Sequence, residues 1–144
     1  MKPVSELLKR NDRTRTLWHV RPDDTVYAAL ELLARYEVGA LVVMDGPQMV
    51  GVVSERDYTR KIALQARNSR ETLVREIMTS QVLTVTPQTG TRACMALMSE
   101  RKIRHLPVVE GTTVLGMISI RDIMDDIIAT HEETIAQLET YIHS

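Results

Sequence analysis

The sequence predicts an α+β fold made of two tandem β-α-β-β-α units that form the halves of one domain. Three observations predict it. First, the chain repeats itself without a gap at an offset of 65 residues: Pro22 aligns with Pro87, Leu32 with Leu97 and Gly46 with Gly111, and 12 of the 49 pairs from Thr16 to Leu64 are identical. Second, 14 of the other 37 pairs exchange one apolar residue for another, as with Val38/Ile103 and Val50/Leu115, so the burial pattern is copied too. Third, a chain of 144 residues can bury roughly 68–70% of its unfolded surface as one domain. A unit that is duplicated in this way usually cannot bury its apolar face alone.

The elements follow in order. Residues 1–13 form an N-terminal helical segment, with Val4, Leu7 and Leu8 on one side. The first repeat, 14–66, opens with a strand over Thr16–Val20. Pro22-Asp23-Asp24 turns the chain and caps a helix over Thr25–Tyr36, with Val26, Ala29, Leu30 and Leu33 at spacings of three and four. Gly39 is the expected helix stop. Leu41–Met44 and Met49–Val53 make a hairpin across Asp45-Gly46-Pro47-Gln48, and Ser54 caps a helix running to about Ala66. A linker, 67–79, is polar at first and then carries Val74, Ile77 and Met78 to dock on the body. The second repeat, 80–130, copies the first: strand Val82–Val85, helix Thr89–Arg101, hairpin His105–Val109 with Val114–Ile118, and a helix after Ser119. That helix continues into a C-terminal extension, 131–144, with Ile123, Ile127, Ile128, Ile135, Leu138 and Ile142 as an apolar stripe.

Composition narrows the function. A net charge of −1 and a pI near 6.4 lack the basic excess of a generic nucleic-acid binder. No run approaches 18 apolar residues and MKPVSELLKRND has no apolar signal core, so neither membrane insertion nor secretion is expected. The single cysteine, Cys94, aligns with Ala29 inside a helical pattern and reads as a buried small residue, in keeping with a reducing cytoplasm. His19, His131 and His143 lack metal-ligand spacing. No nucleophile-base pair, P-loop or G-x-G-x-x-G is present, so no enzyme is expected.

The polar residues kept in both copies concentrate in Gly51-Val52-Val53-Ser54-Glu55-Arg56-Asp57 and Gly116-Met117-Ile118-Ser119-Ile120-Arg121-Asp122. Gly51 and Gly116 lie within strands, where glycine marks a bulge or a close approach; their recurrence before a capping serine favours approach by a ligand. Ser54 and Ser119 stand where a strand feeds a helix, able to cap it or to donate to an anion at the helix end. Asp57 and Asp122, in the first helical turn, suit the helix dipole, and each can also accept from the two hydroxyls of a ribose. Arg56 and Arg121 oppose the dipole there and can supply charge for a phosphate. Glu55 would repel phosphate and is expected to face solvent.

The doubled Gly-apolar-apolar-Ser-x-Arg-Asp pattern, with Arg104-His105-Leu106-Pro107-Val108-Val109 and Glu76-Ile77-Met78-Thr79, resembles the cystathionine β-synthase (CBS) domain pair over about residues 14–130. The resemblance implies a stand-alone Bateman module, in which two repeats pack sheet to sheet about a pseudo-twofold axis and leave two clefts for adenosine-containing ligands. Its first cleft comprises Ser54, Arg56 and Asp57 with Leu83, Ile103, Arg104 and His105. Its second comprises Ser119, Arg121 and Asp122 with Trp18, Val38, Gly39 and Ala40. The aspartates would hold ribose, Val38 or Ile103 would flank adenine, and Arg56, Arg121, Arg104 and His105 would meet phosphate. His105 can equally be a satisfied strand histidine, and Trp18 reads as core with only its backbone at the site. Gly39-Ala40 stands where the other repeat has Arg104-His105, so unequal clefts are expected. AMP is the first ligand choice, with ATP, ADP, NAD and S-adenosylmethionine sharing its ribose and adenine. A homodimer and an unidentified effector protein are the expected partners. The alternative is a structural dimerisation module with vestigial clefts.

Overall fold

Two antiparallel hairpins form the frame on which the chain duplicates itself. The structure, a computed structural model, describes residues 2–143, with side chains described through Thr140; the Ile142 and His143 side chains lie outside it. The order is α1 (Val4–Arg10), α2 (Asp12–Arg15), β1 (His19–Val20), α3 (Val26–Tyr36), β2 (Ala40–Asp45), β3 (Gln48–Ser54), α4 (Glu55–Tyr58) running into a π-turn over Thr59–Ala63, a 3-10 turn (Val74–Glu76), α5 (Thr91–Arg101), β4 (His105–Glu110), β5 (Thr113–Ser119) and α6 (Ile120–His143). One sheet is β1-β2-β3, with β1 parallel to β2; the other is β4-β5. Registers match at the 65-residue offset: Val43 faces Gly51 and Val108 faces Gly116, each beside a one-residue bulge.

Four expectations change. The helix cap is Thr25, whose hydroxyl accepts from the Ala28 N–H at 3.1 Å, while Asp24 closes the preceding turn by accepting from the Arg21 N–H. The helix stop is Glu37 at φ 53°, matched by Lys102 at φ 55°, and not Gly39. The first strand shortens to His19–Val20 because Asp12–Arg15 is helical and Thr16 caps it. The strand expected over Val82–Val85 is reduced to a single bridge, Val85 with Val108. Val42 donates its N–H to the Trp18 carbonyl, but the residue aligned with Val42 is Pro107, which has no N–H to give Leu83.

Each half has its own core. The first gathers Val20, Val26, Ala29, Leu33, Leu41, Val43, Val53 and Ile62 with Val74 and Ile77 from the connecting segment. The second gathers Val85, Cys94, Met98, Leu106, Val108, Ile118 and Ile123 with Val4, Leu7 and Leu8 from α1. The chain's first residues therefore serve its last repeat. Val4 N–H bonds the Thr89 carbonyl and Ser5 N–H the Pro87 carbonyl; Val74 and Arg75 make the same bonds to Asp24 and Pro22. The stripe on α6 divides accordingly. Ile123 and Ile127 pack into the core under α1, whereas Met124, Ile128, Ile135 and Leu138 are more than half exposed.

The two strand glycines are explained by this docking and not by a ligand. A Cβ on Gly116 would stand 1.9 Å from the Thr14 carbonyl oxygen, and one on Gly51 2.8 Å from that of Thr79. Thr14 and Thr79 are thus equivalent. Val4 to Thr14 spans ten steps where Val74 to Thr79 spans five, so the N-terminal arm carries five extra residues, and these build α2.

Candidate functional site

At each β3-α4 and β5-α6 corner the strand hands over to a helix whose first N–H groups lack intrahelical partners. Ser54 meets this with a capping box: its Oγ accepts from the Asp57 N–H, and Asp57 Oδ2 accepts from the Ser54 N–H at 2.9 Å. Ser119 and Asp122 repeat it, with the Ser119 N–H to Asp122 Oδ2 at 2.8 Å and the Asp122 N–H to Ser119 Oγ at 3.1 Å. One oxygen of each aspartate is therefore committed to its own helix. The other, Oδ1, meets Lys61 Nζ at 3.2 Å in the first copy and the Asn11 amide at 3.3 Å in the second. Glu55 is exposed, as expected.

Two cavities open between the halves. The first, about 600 Å³, is lined by Ser54, Arg56 and Asp57 from one half and Leu83, Ile103, Arg104 and His105 from the other. The second, about 670 Å³, is lined by Ser119, Arg121 and Asp122 with Trp18, Val38, Gly39 and Ala40. Both volumes fall in the roughly 300–1,000 Å³ of small-molecule sites. Gly39, Ala40, Arg104 and His105 border both cavities, because these corners face each other across the axis between the halves. The His105 ring occupies the space a Gly39 side chain would take, with Cε1 3.0 Å from the position of a Cβ there. Its pKa lies below the usual histidine value, mainly through burial and further through Arg104, with Asp122 opposing.

Trp18 is partly buried against the first core, stacked on Tyr36 at 5.4 Å between centroids, so its ring serves packing as expected. Arg56 is not free: it donates to the Lys102 carbonyl across the interface. Arg121 is 88% exposed, with Asp125 at 3.9 Å.

The sequence reading missed Asn11, Arg13 and Lys61. Asn11 and Arg13 line the second cavity from the extra turn α2. The available signal was the likeness of Val4-Ser5-Glu6-Leu7-Leu8 to Val74-Arg75-Glu76-Ile77-Met78, at an offset of 70 where the repeats run at 65. Among the described residues no cluster of histidine, cysteine or acidic side chains could hold a metal ion. Also among them, no helix is long and apolar enough to cross a membrane.

The CBS domain model matches residues 4–64 and 74–129, each match beginning at one of the two equivalent valines. The chain belongs to the CBS domain family. It is 39% identical over 147 residues to the CBS domain-containing protein CBSX3, mitochondrial, of Arabidopsis thaliana, covering 96% of this chain and 71% of that protein. A protein described as a signal-transduction protein with CBS domains, from Burkholderia ambifaria MC40-6, superposes with a TM-score of 0.86 at 46% identity, over 89% of this chain and 95% of that one. The CBS domain pair of protein MJ0100, solved with 5-methylthioadenosine and S-adenosyl-L-methionine, shares the fold with a TM-score of 0.78 at 19% identity, over 90% and 98% of the two chains. CBS pairs are typically regulatory, ligand-binding modules.

Proposed function

We propose that this CBS pair is a non-enzymatic cytoplasmic sensor that binds adenine nucleotides, AMP foremost, in the two clefts between its halves. Occupancy shifts the relative arrangement of the halves, and an effector protein reads the change; the ligand moves that equilibrium only by its differential affinity for the two arrangements. The observation that carries this reading is the pairing of each Ser-x-Arg-Asp turn with the facing corner of the other repeat, around a cavity of nucleotide size. The capping boxes occupy Oδ2, and beyond its contact with Lys61 or Asn11 each Oδ1 keeps a second lone pair that can accept from ribose. Val38 and Ile103 provide apolar flanks for a base. ADP, ATP, NAD and S-adenosylmethionine share these contacts and are the runner-up ligands.

The exposed face of α6 supports a homodimer. Met124, Ile128, Ile135 and Leu138 lie on one side of a 24-residue helix, and burying each aliphatic side chain is worth about 1.5–3 kcal/mol. The same face supports a second reading, a dimerisation module with unused clefts. Titration with AMP separates the two. Sensing predicts saturable binding that weakens about tenfold or more in Asp57→Ala and in Asp122→Ala, each affecting one cleft, as expected for hydrogen bonds to a charged group. Failure of the wild-type protein to bind AMP or the other adenosine ligands leaves the dimerisation module.

A further inference from the structure

The extra turn α2 breaks the symmetry of the two clefts at one contact. In the first half, Arg56 holds the facing helix end by donating to the carbonyl of Lys102, the left-handed residue that closes α5. The equivalent residues are Arg121 and Glu37. Arg121 does not make that contact, because Arg13 has taken it: its Nη2 donates to the Glu37 carbonyl at 2.9 Å and to the Tyr36 carbonyl at 3.2 Å. Its guanidinium also lies over the Trp18 ring, 5.6 Å from the centroid. Arg121 is left 88% exposed at the rim of the second cavity, with Asp125 at 3.9 Å as its loose neighbour. An exposed pair of this length costs little to break.

We propose that Arg13 is a positioning residue: by holding the Tyr36-Glu37 corner it frees Arg121 to meet phosphate. The second cleft then distinguishes nucleotide from nucleoside through an arginine whose counterpart in the first cleft is occupied. The inference rests on nucleotide binding in the second cleft.

The test measures AMP and adenosine affinities by calorimetry in an Asp57→Ala background, which removes the first cleft from the reading. The AMP-to-adenosine affinity ratio should fall about tenfold in Arg121→Ala, the scale of one charge-assisted hydrogen bond. Arg13→Met keeps an unbranched side chain and drops the guanidinium; the ratio should fall about fivefold as Arg121 swings onto the Glu37 carbonyl. Arg13→Lys, with one ammonium for two carbonyls, should fall between. Adding Arg13→Met to Arg121→Ala should change the ratio no further, because the first substitution acts only through the second. An unchanged ratio in Arg13→Met, or independent effects in the double variant, overturns the proposal while leaving nucleotide binding intact. Binding of neither AMP nor adenosine in the Asp57→Ala background, where wild type binds both, places the ligand in the first cleft alone and overturns it too. If wild type also binds neither, the nucleotide reading itself fails.

Discussion

The two clefts carry the same Ser-x-Arg-Asp turn and the same capping box, yet their walls differ. Gly39, Ala40, Arg104 and His105 border both, but the first has Lys61 on its aspartate, whereas the second has Asn11 on its aspartate and Arg13 beside Trp18. Part of this difference lies inside the repeat, where Lys61 of the first copy aligns with Asp126 of the second. The rest comes from outside it, from an N-terminal arm that packs on the distant half. Duplication copies local structure faithfully, because caps and turns depend on residues a few positions apart. It does not copy what each half receives from the rest of the chain.

The sharpest way to break the comparison is at the glycines, since both halves admit an arm at the same place but at different closeness. Gly116→Ala sets a methyl 1.9 Å from the Thr14 carbonyl oxygen, a backbone atom that moves only if the arm lifts. Gly51→Ala meets the Thr79 carbonyl oxygen and the flexible Met78 thioether, both at 2.8 Å. Urea unfolding should show a loss of about 3 kcal/mol or more for Gly116→Ala. For Gly51→Ala the loss should be about 1–2 kcal/mol. Equal losses would mean that the N-terminal arm yields as readily as the internal connection.

A smaller effect sharpens the same comparison at the helix starts. Thr25 caps α3 through its hydroxyl, whereas the equivalent Gly90 gives α5 no side-chain cap. Thr25→Ala should cost about 1 kcal/mol. Gly90→Ser should gain up to about 1 kcal/mol, because the backbone there is already extended and only the Lys2 carbonyl comes within 4.0 Å of a new Cβ. Thermal melts of the two variants check both signs.

These contrasts mark what could be read in the sequence. The hairpins, α3, α5 and the long α6 were legible because apolar spacing and capping residues are local signals. The fourteen residues expected around the clefts line the two cavities for a related reason: a repeat that keeps its polar residues keeps them at one geometric place. What was not legible depended on tertiary exchange. The likeness of residues 4–8 to residues 74–78 signals that the arm docks. The residue types at Asn11 and Arg13 do not reveal that they reach Asp122 and the Glu37 carbonyl, contacts that exist only once α1 has docked on the second repeat. The strand glycines misled because a glycine records that something comes close without recording what. Glu37 escaped because helix ends are sought at glycine, and a glycine stood two residues on.

The smallest expected effect concerns acid, and it isolates the residue that most separates the two corners. His105 stands where the first repeat has Ala40, packed against Gly39 with burial and Arg104 both disfavouring its charged form and Asp122 favouring it. Burial is the largest of these influences, so the folded protein holds the imidazole neutral to a lower pH than the unfolded chain, whose value is near 6.5. Below that value the unfolded state binds more protons than the folded one, so stability falls as pH falls. The contribution of His105 is fully present above pH 6.5 and is lost as the pH drops from there through its folded pKa. Melting temperatures between pH 7.5 and 5 should therefore decline more steeply for wild type than for His105→Gln. The difference between the two curves isolates His105, because every other group is common to both proteins. A phosphate bound beside His105 favours the imidazolium, so the gap between the curves should narrow when AMP saturates the protein. A wild-type curve no steeper than that of His105→Gln would show that the ring charges freely where it sits, and that the axis between the clefts is open to water.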